Sequence, residues 1–151
     1  METKHGHFSY CSNIHPGEIW HEHFAELQKN VPLVKAEIAP NEKMGLGLRF
    51  ANQASIDLQN PTEFENLKDW LKKENLYVFT LNGFPYGGFH NTIVKDDVHT
   101  PDWTTQDRYD YTLRLAHLLA KLLPENLHEG GISTSPLSYK YWWKNSEELS
   151  N

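Results

Sequence analysis

The run "LYVFTLNG" (76–83) is apolar on almost every successive residue and ends in Asn82-Gly83. A strand with one wet face alternates apolar and polar side chains. A continuous run implies cover on both faces, as in a parallel sheet lined by helices. Parallel neighbours cannot be joined by a tight turn and need a crossover of about a dozen residues or more, usually helical. The chain supplies such crossovers. Three further strand-like runs, "HFSYCSNI" (7–14), "GLGLRFA" (45–51) and "GGISTSPLSY" (130–139), are separated by helical patterns. Leu46, Leu48 and Phe50 alternate in the second of these, and Pro136 limits the last.

The helical patterns have their own punctuation. Pro16 suits a first turn, and Trp20, Phe24 and Leu27 follow at i, i+4, i+7. Val31 to Ile38 reads as a second short helix in the same connection. In "TEFENLKDWLKKEN", Thr62 and Glu65 fit a capping box. Phe64, Leu67 and Leu71 share a face, and Lys72 and Lys73 suit the C-terminal dipole. In "YDYTLRLAHLLAKLLPEN", Tyr111, Leu115, Leu118 and Leu122 form a stripe that Pro124 terminates.

The order β-α-β-α-β-α-β predicts an α/β fold with right-handed crossovers and one structural unit over residues 1–151. Two architectures fit: a small doubly wound sheet, or the opening section, about four strands, of a (β/α)8 barrel. A whole barrel takes about 250 residues, so this chain would supply under half of its units. The run "YWWKNSEELSN" carries no closing apolar helix and reads as a cut end.

A formal net charge of -6 with no Lys/Arg run argues against a dedicated nucleic-acid binder, because neutralising phosphates needs clustered cations. No run approaches the roughly 20 apolar residues of a membrane span, and "METKHGHFSYCSNIHPGE" lacks the apolar core of a secretory leader. Cys11 is the only cysteine, so no internal disulfide forms. The expectation is a cytoplasmic protein.

In both architectures ligands bind at the carboxyl ends of the parallel strands. That rim collects "SNIHPGE", "RFANQ", "NGFPYGGFH" and "STSPLSYK", each mixing polar residues with Gly or Pro or both, apart from "RFANQ". His90 and His15 are the candidates there for proton transfer or metal ligation, since imidazole titrates near neutral pH; either could instead only hydrogen-bond loop backbone. His21 and His23, two residues apart, cannot share a helix face and are expected at the surface. His5 and His7 are expected in a frayed terminus. Asn13 and Asn82 stand where strands give way to loops, and an amide there offers both donor and acceptor to a hydroxylated ligand. Turn chemistry explains Asn82-Gly83 equally well. Phe84, Tyr86 and Phe89 could wall a partly apolar substrate or simply pack the loop; Lys140 and Lys95 could neutralise an anion or lie in solvent. No phosphate loop or nucleophile elbow occurs.

Taken together, "YCSNIHPGE", "GLGLR", "LYVFTLNGFPYGGFH", "VKDDVHTPDW", "RYDYTLRLAHLLAKLLP" and "GISTSPLSYK" resemble the N-terminal part of the EboE family of metabolite traffic proteins, within the xylose isomerase-like TIM barrels. The resemblance spans Tyr10 to Lys140. It implies a partial barrel related to sugar and sugar-phosphate isomerases and epimerases, serving the handling or transport of a secondary-metabolite precursor. It also implies a small-molecule metabolite as ligand, and other proteins of the same metabolite-handling cluster as partners. A divalent metal follows from the wider superfamily, with most of its ligands outside this chain; only His90 falls where some relatives place a histidine. Two function classes follow: a metal-dependent isomerase-like enzyme, or a non-catalytic carrier that kept the barrel mouth without the metal site.

Overall fold

The computed structural model describes residues 1–88 and 95–142. A small antiparallel hairpin, β1 (Glu2–Thr3) with β2 (Gly6–His7), leads into β3 (Ser9–Cys11) and a 3-10 turn at Ser12–Ile14. Then follow α1 (Trp20–Ile38), β4 (Met44–Arg49), α2 (Asn52–Asp57), α3 (Pro61–Lys73) and β5 (Leu76–Asn82). A second 3-10 turn, Lys95–His99, precedes α4 (Gln106–Leu122) and β6 (Gly131–Ser133). The four strands β3, β4, β5 and β6 lie side by side in chain order, all parallel, as an open sheet. The β-α alternation is therefore an α/β fold, as its periodicity predicts. Among the described residues no helix is long and apolar enough to cross a membrane.

Alternate residues of a strand point to opposite faces. On one face, Met44, Leu46 and Leu48 of β4 and Leu76, Val78 and Leu81 of β5 join a single apolar cluster. That cluster also holds Trp20, Leu27 and Val31 of α1, Phe64, Leu67 and Trp70 of α3, and Tyr111, Leu115 and Leu118 of α4. A register shift between Gly45 and Gly47 lets Val78 and Leu81, three residues apart, share that side. The other face is shallow: Cys11, Gly47, Thr80 and Gly131 stand level across the sheet. Its amino end is closed by the hairpin, where His7 Nδ1 lies 3.0 Å from the Tyr77 hydroxyl and its ring 5.4 Å from that of Phe79. The N-terminal histidines thus belong to a folded hairpin and not to a frayed end, because Phe8 N–H donates to Met1 O and the Met1 ammonium donates to Phe8 O.

Other details depart from the sequence pattern. The expected second helix at Val31 is the continuation of α1 through Pro32. A proline removes one backbone bond, but the buried stripe Trp20, His23, Leu27, Val31 and Lys35 runs unbroken past it and outweighs that loss. Pro16 stays outside the helix, which starts at Trp20. His23 is 1% exposed, its Nδ1 3.3 Å from Pro16 O, so only His21 of the pair lies at the surface. For α3 the cap is Asn60, whose side chain accepts from Thr62 N–H with Pro61 in the first turn; the Thr62–Glu65 box does not form.

Two glycines test the close approach of strands. A Cβ at Gly45 would sit 2.4 Å from Phe8 O, a backbone atom that cannot swing away, whereas one at Gly87 would meet nothing within 4 Å. Gly45→Ala is expected to destabilise the protein by about 1–3 kcal/mol through overpacking, and Gly87→Ala to stay within about 0.5 kcal/mol. Urea unfolding of the two variants checks this ordering; equal midpoints would contradict the packing of β3 on β4.

Candidate functional site

Two residues beyond the shallow central level, the open face ends in a polar row. Arg49, Asn82 and Ser133 stand in register on three adjacent strands, at their carboxyl ends. Arg49 is 1% exposed. Its Nη2 donates to Gly87 O at 2.7 Å and lies 3.3 and 3.4 Å from the carboxylate oxygens of Glu18, a side chain still 40% exposed. Asn82 Oδ1 accepts from Ser133 Oγ at 2.7 Å and from Phe84 N–H at 3.1 Å. The latter bond is the side-chain turn that Asn-Gly chemistry suggests. The former ties β5 to β6 and leaves the amide Nδ2 as the remaining donor of a half-buried side chain.

The loop after β5 is held from behind by α4. Arg108, fully buried, donates from Nε to Pro101 O at 2.7 Å, from Nη1 to Gly83 O at 2.8 Å and from Nη2 to Phe84 O at 3.1 Å. Burial lowers its pKa, and the nearby Tyr111, Tyr86 and Asp102 oppose that shift. Tyr111 hydroxyl donates to Phe50 O at 2.6 Å and reaches Pro85 O at 3.3 Å, so one phenol joins the ends of β4 and β5. Tyr86 packs edge-on against Tyr111 with ring centroids 5.0 Å apart, and Phe84 sits 5.5 Å from the His99 ring. Both aromatics are half-buried parts of the loop packing. Burial works to raise the Asp102 pKa, yet hydrogen bonds from Ser138 and Thr104 hold it below the usual carboxylate value.

After β3, Ser12 Oγ donates to Gly47 O at 3.0 Å, and Asn13 sits half-buried in the turn that follows. His15 is 7% exposed, with Nε2 2.9 Å from the Tyr10 hydroxyl. Lys140 is exposed, its ammonium 4.6 Å above the Tyr141 ring. His90 and Phe89 lie outside the described residues. Of the residues singled out from sequence, the structure brings Asn82 into a shared row with Arg49 and Ser133, and sets Tyr86 in the clasped loop beside it.

Arg49, Glu18, Arg108 and Tyr111 were not singled out as site residues. The signal for Arg49 was present: a charged residue closing the otherwise apolar run "GLGLRF" must find polar partners once its strand is covered. Nothing local in "HPGE" marks Glu18, since its role depends on a residue 31 positions away. Among the described residues no three His, Cys, Asp or Glu side chains come together to hold a metal ion.

Burial pushes the Tyr111 pKa up to about 12 from 10.0. The neutral phenol is the form the fold prefers, so this contribution is complete below pH 10 and is lost as pH rises toward 12, where the unfolded chain ionises first. About 2–3 kcal/mol of stability should disappear over that window. Tyr111→Phe should flatten the loss, while lowering stability at pH 7 by about 1–3 kcal/mol because Phe50 O loses its donor. Denaturant unfolding from pH 7 to 12 measures both effects.

No protein-family model, curated protein or solved structure matches this chain.

Proposed function

We propose that the chain is the opening section of a xylose isomerase-like (β/α)8 barrel of the EboE type. In this reading it binds a small hydroxylated metabolite at the carboxyl ends of its strands and takes part in handling a secondary-metabolite precursor in the cytoplasm. The observation that carries the reading is the row Arg49, Asn82 and Ser133, three polar side chains in register on adjacent parallel strands, above a central level of small residues. Ligands of parallel α/β sheets sit at this end. Cys11, Gly47, Thr80 and Gly131 put only short side chains or none below the row, and the Asn82 amide and the Glu18 carboxylate supply a donor and an acceptor for hydroxyl groups. Other proteins of the same metabolite-handling cluster are the partners this reading implies.

Within that reading the binding role stands ahead of the isomerase-like one. His15, a proton-transfer candidate, is buried and its Nε2 is engaged by Tyr10. A general acid or base must reach the substrate's proton. In the second reading, sugar isomerase- or epimerase-like chemistry, proton transfer falls to His90, and the ligands of a divalent metal come mostly from outside this chain.

Asn82→Ala and Ser133→Ala separate a ligand role from a structural one. Mass spectrometry of the protein isolated under native conditions reads the retained small molecule, and thermal melts read stability. Both variants are expected to reduce retention about tenfold or more, since a polar group built to pair with a ligand hydroxyl discriminates strongly. The melting temperature should fall by only a few degrees, matching about 1 kcal/mol for a lost hydrogen bond. Full retention alongside a large loss of stability would reduce Asn82 to its turn and remove the row from the site.

A further inference from the structure

Between them, α3 and α4 leave a groove of about 750 Å³. Pro61, Phe64, Glu65 and Lys68 line it from α3, and Arg114, His117, Leu118 and Lys121 from α4. Each set follows the i, i+3, i+4, i+7 spacing of one helix face, so the two faces run together over about two turns. Phe64 and Leu118 are buried in its floor, 7% and 4% exposed.

The charge of this groove departs from that of the chain. The protein has 14 Lys and Arg against 20 Asp and Glu, yet the groove holds three of the former and one of the latter. Glu65 is already committed to Lys68, at 3.1 Å. Lys121 has its ammonium 5.8 Å from the centre of the Phe64 ring, and Arg114 is fixed by the neutral Ser55 and Asn52 side chains. Two cations thus flank an apolar floor without a carboxylate among the described contacts.

We propose that this groove docks an acidic amphipathic helix of another protein. Parallel helix faces with an apolar floor accept a third helix whose anchors recur at i, i+3 or i+4. The cationic rim selects acidic flanks for such a helix and repels basic ones. None of Arg49, Asn82 and Ser133 lines the groove, so docking there leaves that row open to a small molecule.

The test uses a fluorescein-labelled helical peptide of about four turns, with leucines at helical spacing and glutamates beside them, and its twin with lysines for the glutamates. Fluorescence anisotropy is expected to show saturable binding of the acidic peptide, at least about tenfold weaker binding of the basic twin, and weakening with added salt. Lys68→Glu/Lys121→Glu should abolish binding of the acidic peptide and favour the basic one. Lys68→Gln/Lys121→Gln should weaken it in the same direction and serves if the reversed variant fails to fold. Equal binding of the two peptides, unchanged binding to either folded variant, or no binding of either peptide overturns the proposal. Self-association of the protein that the same substitutions abolish would assign the groove to a second copy, and would overturn it too.

Discussion

The chain has three arginines, and each ties down a segment that follows the carboxyl end of β4 or β5. Arg49 holds the Gly87 carbonyl and the Glu18 carboxylate, Arg108 holds the carbonyls of Gly83, Phe84 and Pro101, and Arg114 holds Ser55 and Asn52. A guanidinium presents several donors in a rigid plane, so one side chain can satisfy acceptors from different segments at once. The rim depends on this property. Loops that leave parallel strands have no ladder to satisfy their carbonyls, and a buried carbonyl without a donor costs about 1–3 kcal/mol. Removing Arg108 would leave three carbonyls short of a donor, and the loop that carries Phe84 to Gly88 would lose its backing.

The central face below the rim is shallow for a steric reason. Gly45 cannot accept a Cβ because Phe8 O stands in the way, whereas a Cβ at Gly47 would make only ordinary contacts with Ser9 and Thr80. Small residues there keep the face low, and the polar side chains rise only at the last level, where Asn82 bridges Ser133. That low face arises from the spacing of glycines in "GLGLR".

Much of the fold was legible because it rests on local periodicity. The apolar run of β5, the stripe Tyr111–Leu115–Leu118–Leu122 and the alternation of β4 each state their own element, and their order dictates a parallel sheet. Legibility failed where a distant partner decides. Val31 to Ile38 looked like a second helix, but the stripe from Trp20 to Lys35 has α3 and the sheet to pack against, as in the edge-to-face contact of Phe24 with Trp70 at 5.5 Å. Thr62 looked like a cap, but the residue before Pro61 is pushed to extended backbone, which suits Asn60 to the cap position. His23 looked exposed because its spacing from His21 carries no trace of the loop that covers it, where its Nδ1 lies 3.3 Å from Pro16 O. In the rim, Asn82 is legible from its place at a strand end and Arg49 from closing an apolar run, whereas Glu18 is visible only through Arg49, 31 positions away.

The two readings of Asn82, turn former and ligand group, turn out to use different atoms. The turn takes one lone pair of Oδ1 through Phe84 N–H, and the bridge to Ser133 takes the other. Those bonds fix the orientation of the amide, so Nδ2 is presented in a defined direction without being consumed. A side chain locked in this way loses little entropy when a ligand arrives, which is the advantage of a prearranged site. The structural role of Asn82 therefore orients the amide for the binding role proposed for it, and substitutions that keep the amide but lengthen the side chain, such as Asn82→Gln, should move the fixed oxygen away from Phe84 N–H and misplace Nδ2 with it.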